Sequence, residues 1–414
     1  MSTSPSPGKP GRLGMREFVA LMAALMASNA LAIDAMLPAF PAIGEALGVA
    51  EENRRQLVVT AYLVGFGIAQ LVYGPIADRV GRRPVLVVTM FFYAAFALLC
   101  GIVTSFESLL VMRALQGVAA AGTRVLVVSV IRDRFEGSAM ARVMSLVFII
   151  FMIVPVVAPS FGQAVLWVAD WRAIFIGLAV YGAVVLAWAW LRLPETLAPE
   201  NRRPLSFASV KEATLLTLAN RASIGNTVAS TLIFGGLFAF INSVQQIVSD
   251  VFDAPELLGL AFACIAGPMA LASWFNSRVV ERMGAWPVAR RAMVAFTAFG
   301  LLHLVVALTI GDTLVLFIIL QMLTMASFAL IGANLGSLAM QPLGHVAGTA
   351  SSVQGAIGTL GGAAVGALIG QAFDGTVVPF LVGLVTCGAA GMAIAFWANA
   401  GSGAKRPAPS PTQA

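Results

Sequence analysis

Twelve separate stretches of this chain are each long and apolar enough to cross a bilayer, and nothing else in the sequence limits its fold so strongly. A hydrocarbon core of about 30 Å takes roughly 20 residues of helix. Runs of that kind occupy 18–40, 56–76, 85–104, 108–130, 143–166, 172–193, 222–248, 257–276, 292–310, 313–339, 350–373 and 377–398. In lipid each backbone polar group must be satisfied within its own segment, so such runs are read as helices. Hydrophobic residues make up 59% of the 414, and charged residues 11%, where a soluble domain carries roughly 25%. The 40 glycines and 20 prolines fall within many of the spans, which membrane helices tolerate.

Basic residues set the orientation. With the N-terminus in the cytoplasm, 20 of the 25 Lys and Arg residues fall on the cytoplasmic side. Only Arg54, Arg55 and Arg172 fall on the other side, and Arg113 and Arg124 lie inside the fourth span. That asymmetry is the positive-inside pattern, so the net charge of +6 reflects topology rather than nucleic-acid binding. The basic, Ser/Pro/Gly-rich segment 1–16 reads as a cytoplasmic tail. The apolar run after it is too long for a signal peptide. A second tail covers 399–414. Cys100, Cys264 and Cys387 fall in separate spans without CxxC spacing, as small buried hydrophobes do. His303 and His345 are far apart, and no HExxH, phosphate-binding loop or GxSxG is present. No metal site, cofactor or enzymatic constellation is therefore expected.

A weak repeat divides the chain. "ADRVGRRPV" (77–85) aligns with "VERMGAWPV" (280–288) at an offset of 203. Asp78 then pairs with Glu281, Arg79 with Arg282, Gly81 with Gly284 and Pro84 with Pro287. Each copy lies between the second and third spans of a six-span half. Two parallel halves with substrate handled between them are a transporter plan. The expected organisation is a six-helix bundle over 17–193, a polar linker over 194–221 and a second bundle over 222–398.

The segment "GPIADRVGRRP" resembles the signature loop G-x-x-x-D-R-x-G-R-R of the major facilitator superfamily. Gly74, Asp78, Arg79, Gly81, Arg82 and Arg83 meet its fixed positions. "LPAFPAIGEALG" (37–48), "RALQGVAAAG" (113–122), "WRAIF" (171–175), "LPETL" (193–197) and "GHVAGTASSVQG" (344–355) are similar to the Bcr/CflA branch of drug:proton antiporters. The resemblance covers the whole chain. It implies an all-α membrane protein of two pseudo-symmetric six-helix bundles with both termini cytoplasmic. It also implies that Asp78 and the loop arginines act as a cytoplasmic gate, docking on the start of the eleventh helix in one state. Read from the residues alone, Gly81 suits a tight turn and the arginines anchor topology. Asp78 is the member that an orientation signal does not require.

Charged groups well inside the spans are few: Asp34, Arg113 and Arg124. Each costs at least about 2.5–3.5 kcal/mol near a helix centre unless paired or hydrated. Asp34 and Arg113 fall at similar depths, about 7–9 Å from the midplane at 1.5 Å per residue. An acid near a cation in a partly desolvated cavity is pushed both ways, desolvation favouring the neutral form and the cation the charged one. This is a setting for proton coupling, with a static ion pair as the alternative. Arg113 opens the fourth-helix motif of these antiporters, and the resemblance gives it a role in proton transfer. Arg124 falls about 20° from Arg113 on the same helical face. It is either a cavity cation or a side chain reaching toward the cytoplasmic surface.

In the fifth span Pro155 and Pro159 remove helix hydrogen bonds and Gly162 permits close packing. This resembles the antiporter kink motif, although Ala158 and Gln163 depart from its glycines. Further cavity candidates are Asn29, Tyr62, Gln70, Gln116, Asn226, Asn242, Gln245 and Asn334, each of which can instead serve helix-to-helix hydrogen bonding. The expected function is proton-driven efflux of drug-like or amphiphilic small molecules by a monomer in the inner membrane, using the proton gradient and no cofactor. Export of a native metabolite, such as an amino acid or nucleoside, and passive facilitation remain open as alternatives.

Overall fold

The computed structural model describes residues 13–202 and 207–400. Most of both expected tails therefore lies outside the described residues. Twelve helices long and apolar enough to span a membrane are present among those described. The first bundle holds α1 (Met15–Asp34), α2 (Phe40–Ala46), α3 (Leu57–Val80), α4 (Arg82–Cys100), α5 (Phe106–Arg134), α6 (Gly137–Leu166) and α7 (Arg172–Arg192). The second holds α9 (Arg221–Gln246), α10 (Leu258–Met283), α11 (Ala285–Thr309), α12 (Leu314–Met340), α13 (Ala347–Gln371) and α14 (Val378–Asn399). Between them the connector forms a helix of its own, α8 (Phe207–Ala219), which packs on α13 and α9.

The first span is not one unbroken helix. Pro38 cannot donate to the carbonyl four residues back, and its ring crowds that carbonyl, which belongs to Asp34. Helix α1 ends there, and the chain passes through a turn and a short 3-10 segment, Leu37–Ala39, before α2. Apolar hydropathy continues across the break, so the run reads as continuous in sequence. In the fifth span both prolines lie inside the one helix α6.

Glycines set the closest approaches. A Cβ on Gly65 of α3 would stand 2.0 Å from the Ala114 carbonyl oxygen of α5, and one on Gly117 of α5 would stand 2.0 Å from that of Tyr62. The two helices thus meet backbone to backbone, as small residues allow in membranes. The bundles meet mainly where α3 packs on α13 and α6 on α10.

The repeat is structural. Gly81, between α3 and α4, has φ 116° and ψ 158°, and Gly284, between α10 and α11, has φ 80° and ψ 161°. Both take a backbone conformation that strongly favours glycine. In each copy the proline falls at the third position of the following helix, within the first turn where its missing N–H costs nothing. Many large apolar side chains, including Phe91, Leu99, Val184 and Leu301, point outward, as a lipid-facing surface requires.

Candidate functional site

The break after α1 puts Asp34 at the last position of a helix within the bundle, 4% exposed. Its Oδ1 is buried without a hydrogen-bond partner. Gly162 of α6 closes over this break: a Cβ there would stand 1.9 Å from the Ala35 carbonyl oxygen and 3.1 Å from Pro38. The fifth span's small residue therefore covers the residue next to the acid.

Arg113 of α5 is completely buried. Its Nε donates to the Val58 carbonyl (3.2 Å), Nη2 to the Ala32 carbonyl (2.9 Å) and Nη1 to Gln116 Oε1 (2.6 Å). The guanidinium lies 4.5 Å from the centre of the Tyr62 ring, a favourable cation–π contact. The anticipated pairing with Asp34 is not formed, since the two make no contact within the 4.0 Å that defines an ion pair. Backbone carbonyls of α1 and α3 take the guanidinium's protons instead. Arg113 nonetheless reaches the same turn of α1, since Ala32 is two residues before Asp34.

From Tyr62 a polar chain leads along the inner face of the bundle. The Tyr62 hydroxyl donates to Asn29 Oδ1 (3.3 Å), and Asn29 Nδ2 donates to Thr123 Oγ1 (2.9 Å). Arg124 follows immediately. It is exposed, in contrast to Arg113 on the same stripe.

At the end of the molecule where α1 begins and α14 ends, the signature loop is tied within its own bundle. Arg82 is buried between Asp78 (2.6 Å) and Asp133 (3.0 Å). Glu195 accepts from the backbone N–H groups of Arg82 (2.9 Å) and Arg83 (3.2 Å), the position where a helix N-terminus favours an anion. Arg83 Nη2 donates to the Trp190 carbonyl (2.6 Å). Arg79 is exposed. Gly74 faces Ser352 of α13 at a distance that would leave 3.9 Å to an added Cβ. Asp78 makes no hydrogen bond or ion pair to the eleventh span among the described residues. Glu195 and Asp133 were not singled out in the sequence, although "LPETL" contains the first of them.

The opposite end is closed by uncharged side chains. Gln56 Nε2 donates to Gln246 Oε1 (2.5 Å) and to the Gly370 carbonyl (3.1 Å). Asn53 Nδ2 donates to the carbonyls of Gln371 (3.1 Å) and Phe373 (2.8 Å). Gln246 Nε2 donates to Asn53 Oδ1 (2.9 Å), and Gln371 Nε2 to the Asn53 carbonyl (2.6 Å). Every one of these bonds joins the first bundle to the second. One turn before Gln246, Asn242 is 1% exposed with neither amide atom partnered.

Other candidates serve packing. Gln70 donates to Thr359 across the bundle interface (3.0 Å), Asn226 pairs with Asn399 (2.9 Å), and Asn334 donates to Asn276 (2.7 Å). Gln245 donates to Ser249 and keeps an unpartnered Oε1. His303 joins Asp312 at 2.8 Å within the second bundle, a pair that the sequence did not suggest.

Two bundles of six helices meeting around polar inner faces form the architecture of a membrane transporter. The Major Facilitator Superfamily model matches residues 22–366, and the chain belongs to that family. It is similar to an uncharacterised transporter of this type from Bacillus subtilis, YdgK, at 31% identity over 88% of this chain and 90% of the relative. It is also similar to a bicyclomycin resistance protein homolog of Haemophilus influenzae, at 29% identity over 86% and 89%. Among solved structures, a partially occluded inward-open form of the E. coli xylose transporter XylE superposes with a TM-score of 0.70 at 13% identity, covering 92% of this chain and 95% of that one. The protein is a multi-pass membrane transporter of small molecules and not an enzyme.

Proposed function

We propose that the chain is a proton-coupled exporter of drug-like or amphiphilic small molecules in the cytoplasmic membrane, working by alternating access. The drug class is supported by the name of the Haemophilus relative. The distribution of Lys and Arg supports cytoplasmic termini. In that orientation the amide clasp lies on the outer side.

Coupling rests on one observation: a buried acid at a helix break, beside an arginine whose donors are held by backbone carbonyls. Burying a charge without a partner is costly, and a bound proton removes that cost. Asp34 thus has reason to exchange a proton when substrate or water changes its surroundings. Because Arg113 ties α1 to α3, a shift at the break passes to the rest of the bundle.

Asp34→Asn mimics the permanently protonated acid. The variant is expected to bind substrate but not to concentrate it against a gradient. Substrate-induced proton release from purified protein measures this directly. Wild-type release from Asp34→Asn would show that the proton is carried elsewhere.

A further inference from the structure

Arg124 lies ten residues before the end of α5 at Arg134, a climb of about 15 Å that one side chain does not span. Its neighbours on the helix face, Ala120, Ala121 and Val127, are fully buried. The lipid-facing stripe of α5 runs through Val111, Leu115 and Val118, which are 54%, 36% and 36% exposed. Six residues past Val118, Arg124 is turned about 120° away from that stripe, and lies about 20° from the buried Arg113. Its side chain is nonetheless exposed. The surface it shows therefore faces an aqueous space inside the molecule rather than lipid.

Among the described residues Arg124 has no ion pair and no hydrogen-bond partner, whereas Arg82 and Arg113 are buried with their donors engaged. A guanidinium presents five donors in a planar fork that matches the two oxygens of a carboxylate. Protein walls around it strengthen that attraction relative to bulk water. The clasp joins the two bundles at the other end of the molecule. Thr123, the last member of the chain from Tyr62 and Asn29, adjoins Arg124.

We infer that Arg124 is the recognition site for a carboxylate or similar oxyanion on the transported molecule. The inference rests on the exporter reading above and narrows its substrates to amphiphiles with an anionic head and an apolar body. Thr123, one residue before Arg124, begins the chain through Asn29 to Tyr62, whose ring lies against Arg113.

The test uses the purified full chain in lipid nanodiscs and three probes with one apolar body: naphthoate, naphthylmethanol and naphthylmethyl-trimethylammonium. Calorimetry gives the affinity of each. Wild type is expected to bind naphthoate at least about tenfold tighter than the ammonium probe, a difference typical of one charge-assisted fork. Arg124→Gln should bring the probes to within about twofold of each other, Arg124→Lys should keep part of the preference, and Arg124→Glu should reverse it. Among the described residues the native side chain makes no hydrogen bond or ion pair, so these variants break none. Wild type without anion preference, or a preference that survives in Arg124→Gln, overturns the assignment. Binding at equilibrium needs no gradient. Failure of pH-driven transport in proteoliposomes would therefore count against the exporter reading while leaving this result standing.

Discussion

Two acids near the signature loop differ sharply in what they hold. Asp78 is 41% exposed and pairs with the buried Arg82 one turn away, which Asp133 also holds, so losing Asp78 leaves the arginine paired. Glu195 accepts from four backbone N–H groups, those of Arg82, Arg83, Thr196 and Leu197. A carboxylate with several backbone donors is a much stronger anchor. Asp78→Asn should therefore leave thermal stability within about 1 kcal/mol of wild type. Glu195→Ala should cost about 2–3 kcal/mol, because it strands the donors at the start of α4. Melting curves of the purified variants decide this, and equal losses would show that the helix terminus does not depend on Glu195.

The clasp works as a unit of helix ends: the start of α3, the last turn of α9 and the last turn of α13. Its hydrogen bonds favour the closed state, and the unpartnered amide of Asn242 beside it opposes that state. A buried amide without partners costs about 1–3 kcal/mol, so the two contributions are of comparable size. Asn53→Ala should raise the reaction of a cysteine replacing the buried Ser243 with membrane-impermeant thiol reagents added outside, and Asn242→Leu should lower it. A change of about fivefold or more in each direction fits these energies; changes of the same sign would refute the balance. None of this was legible in the chain. Gln56 and Gln246 are 190 residues apart, Asn53 and Gln371 318 apart, and lone amides at span ends carry no periodic signal. Asp34 and Arg113 were legible because charge is rare in such spans. Arg113's true partners were not, since backbone carbonyls are present at every position. The helix count and the glycine turns were legible because both follow from local chemistry. The break at Asp34 was missed because hydropathy alone does not register Pro38.

On the scale of the whole molecule, twelve spans with the proposed cytoplasmic termini make a topological prediction. Reporter fusions at Ser105, Asp250, Asp312 and Thr376 should report one side of the membrane, and fusions at Gly137, Pro199, Ala285 and Pro409 the other. An inversion midway along the series would contradict the arrangement. The connector bears on how the halves move. Its first part belongs to the N-terminal bundle, through Glu195 on α4 and Thr196 on Asp133 (3.2 Å). Its second part, α8, packs on helices of the other bundle. Only residues 198–206 are left between these attachments. Nine residues fully extended reach about 30 Å, so the two halves are joined by a short leash. Rocking of a few ångströms about the shared interface falls within that reach, while wholesale separation of the bundles is mechanically forbidden.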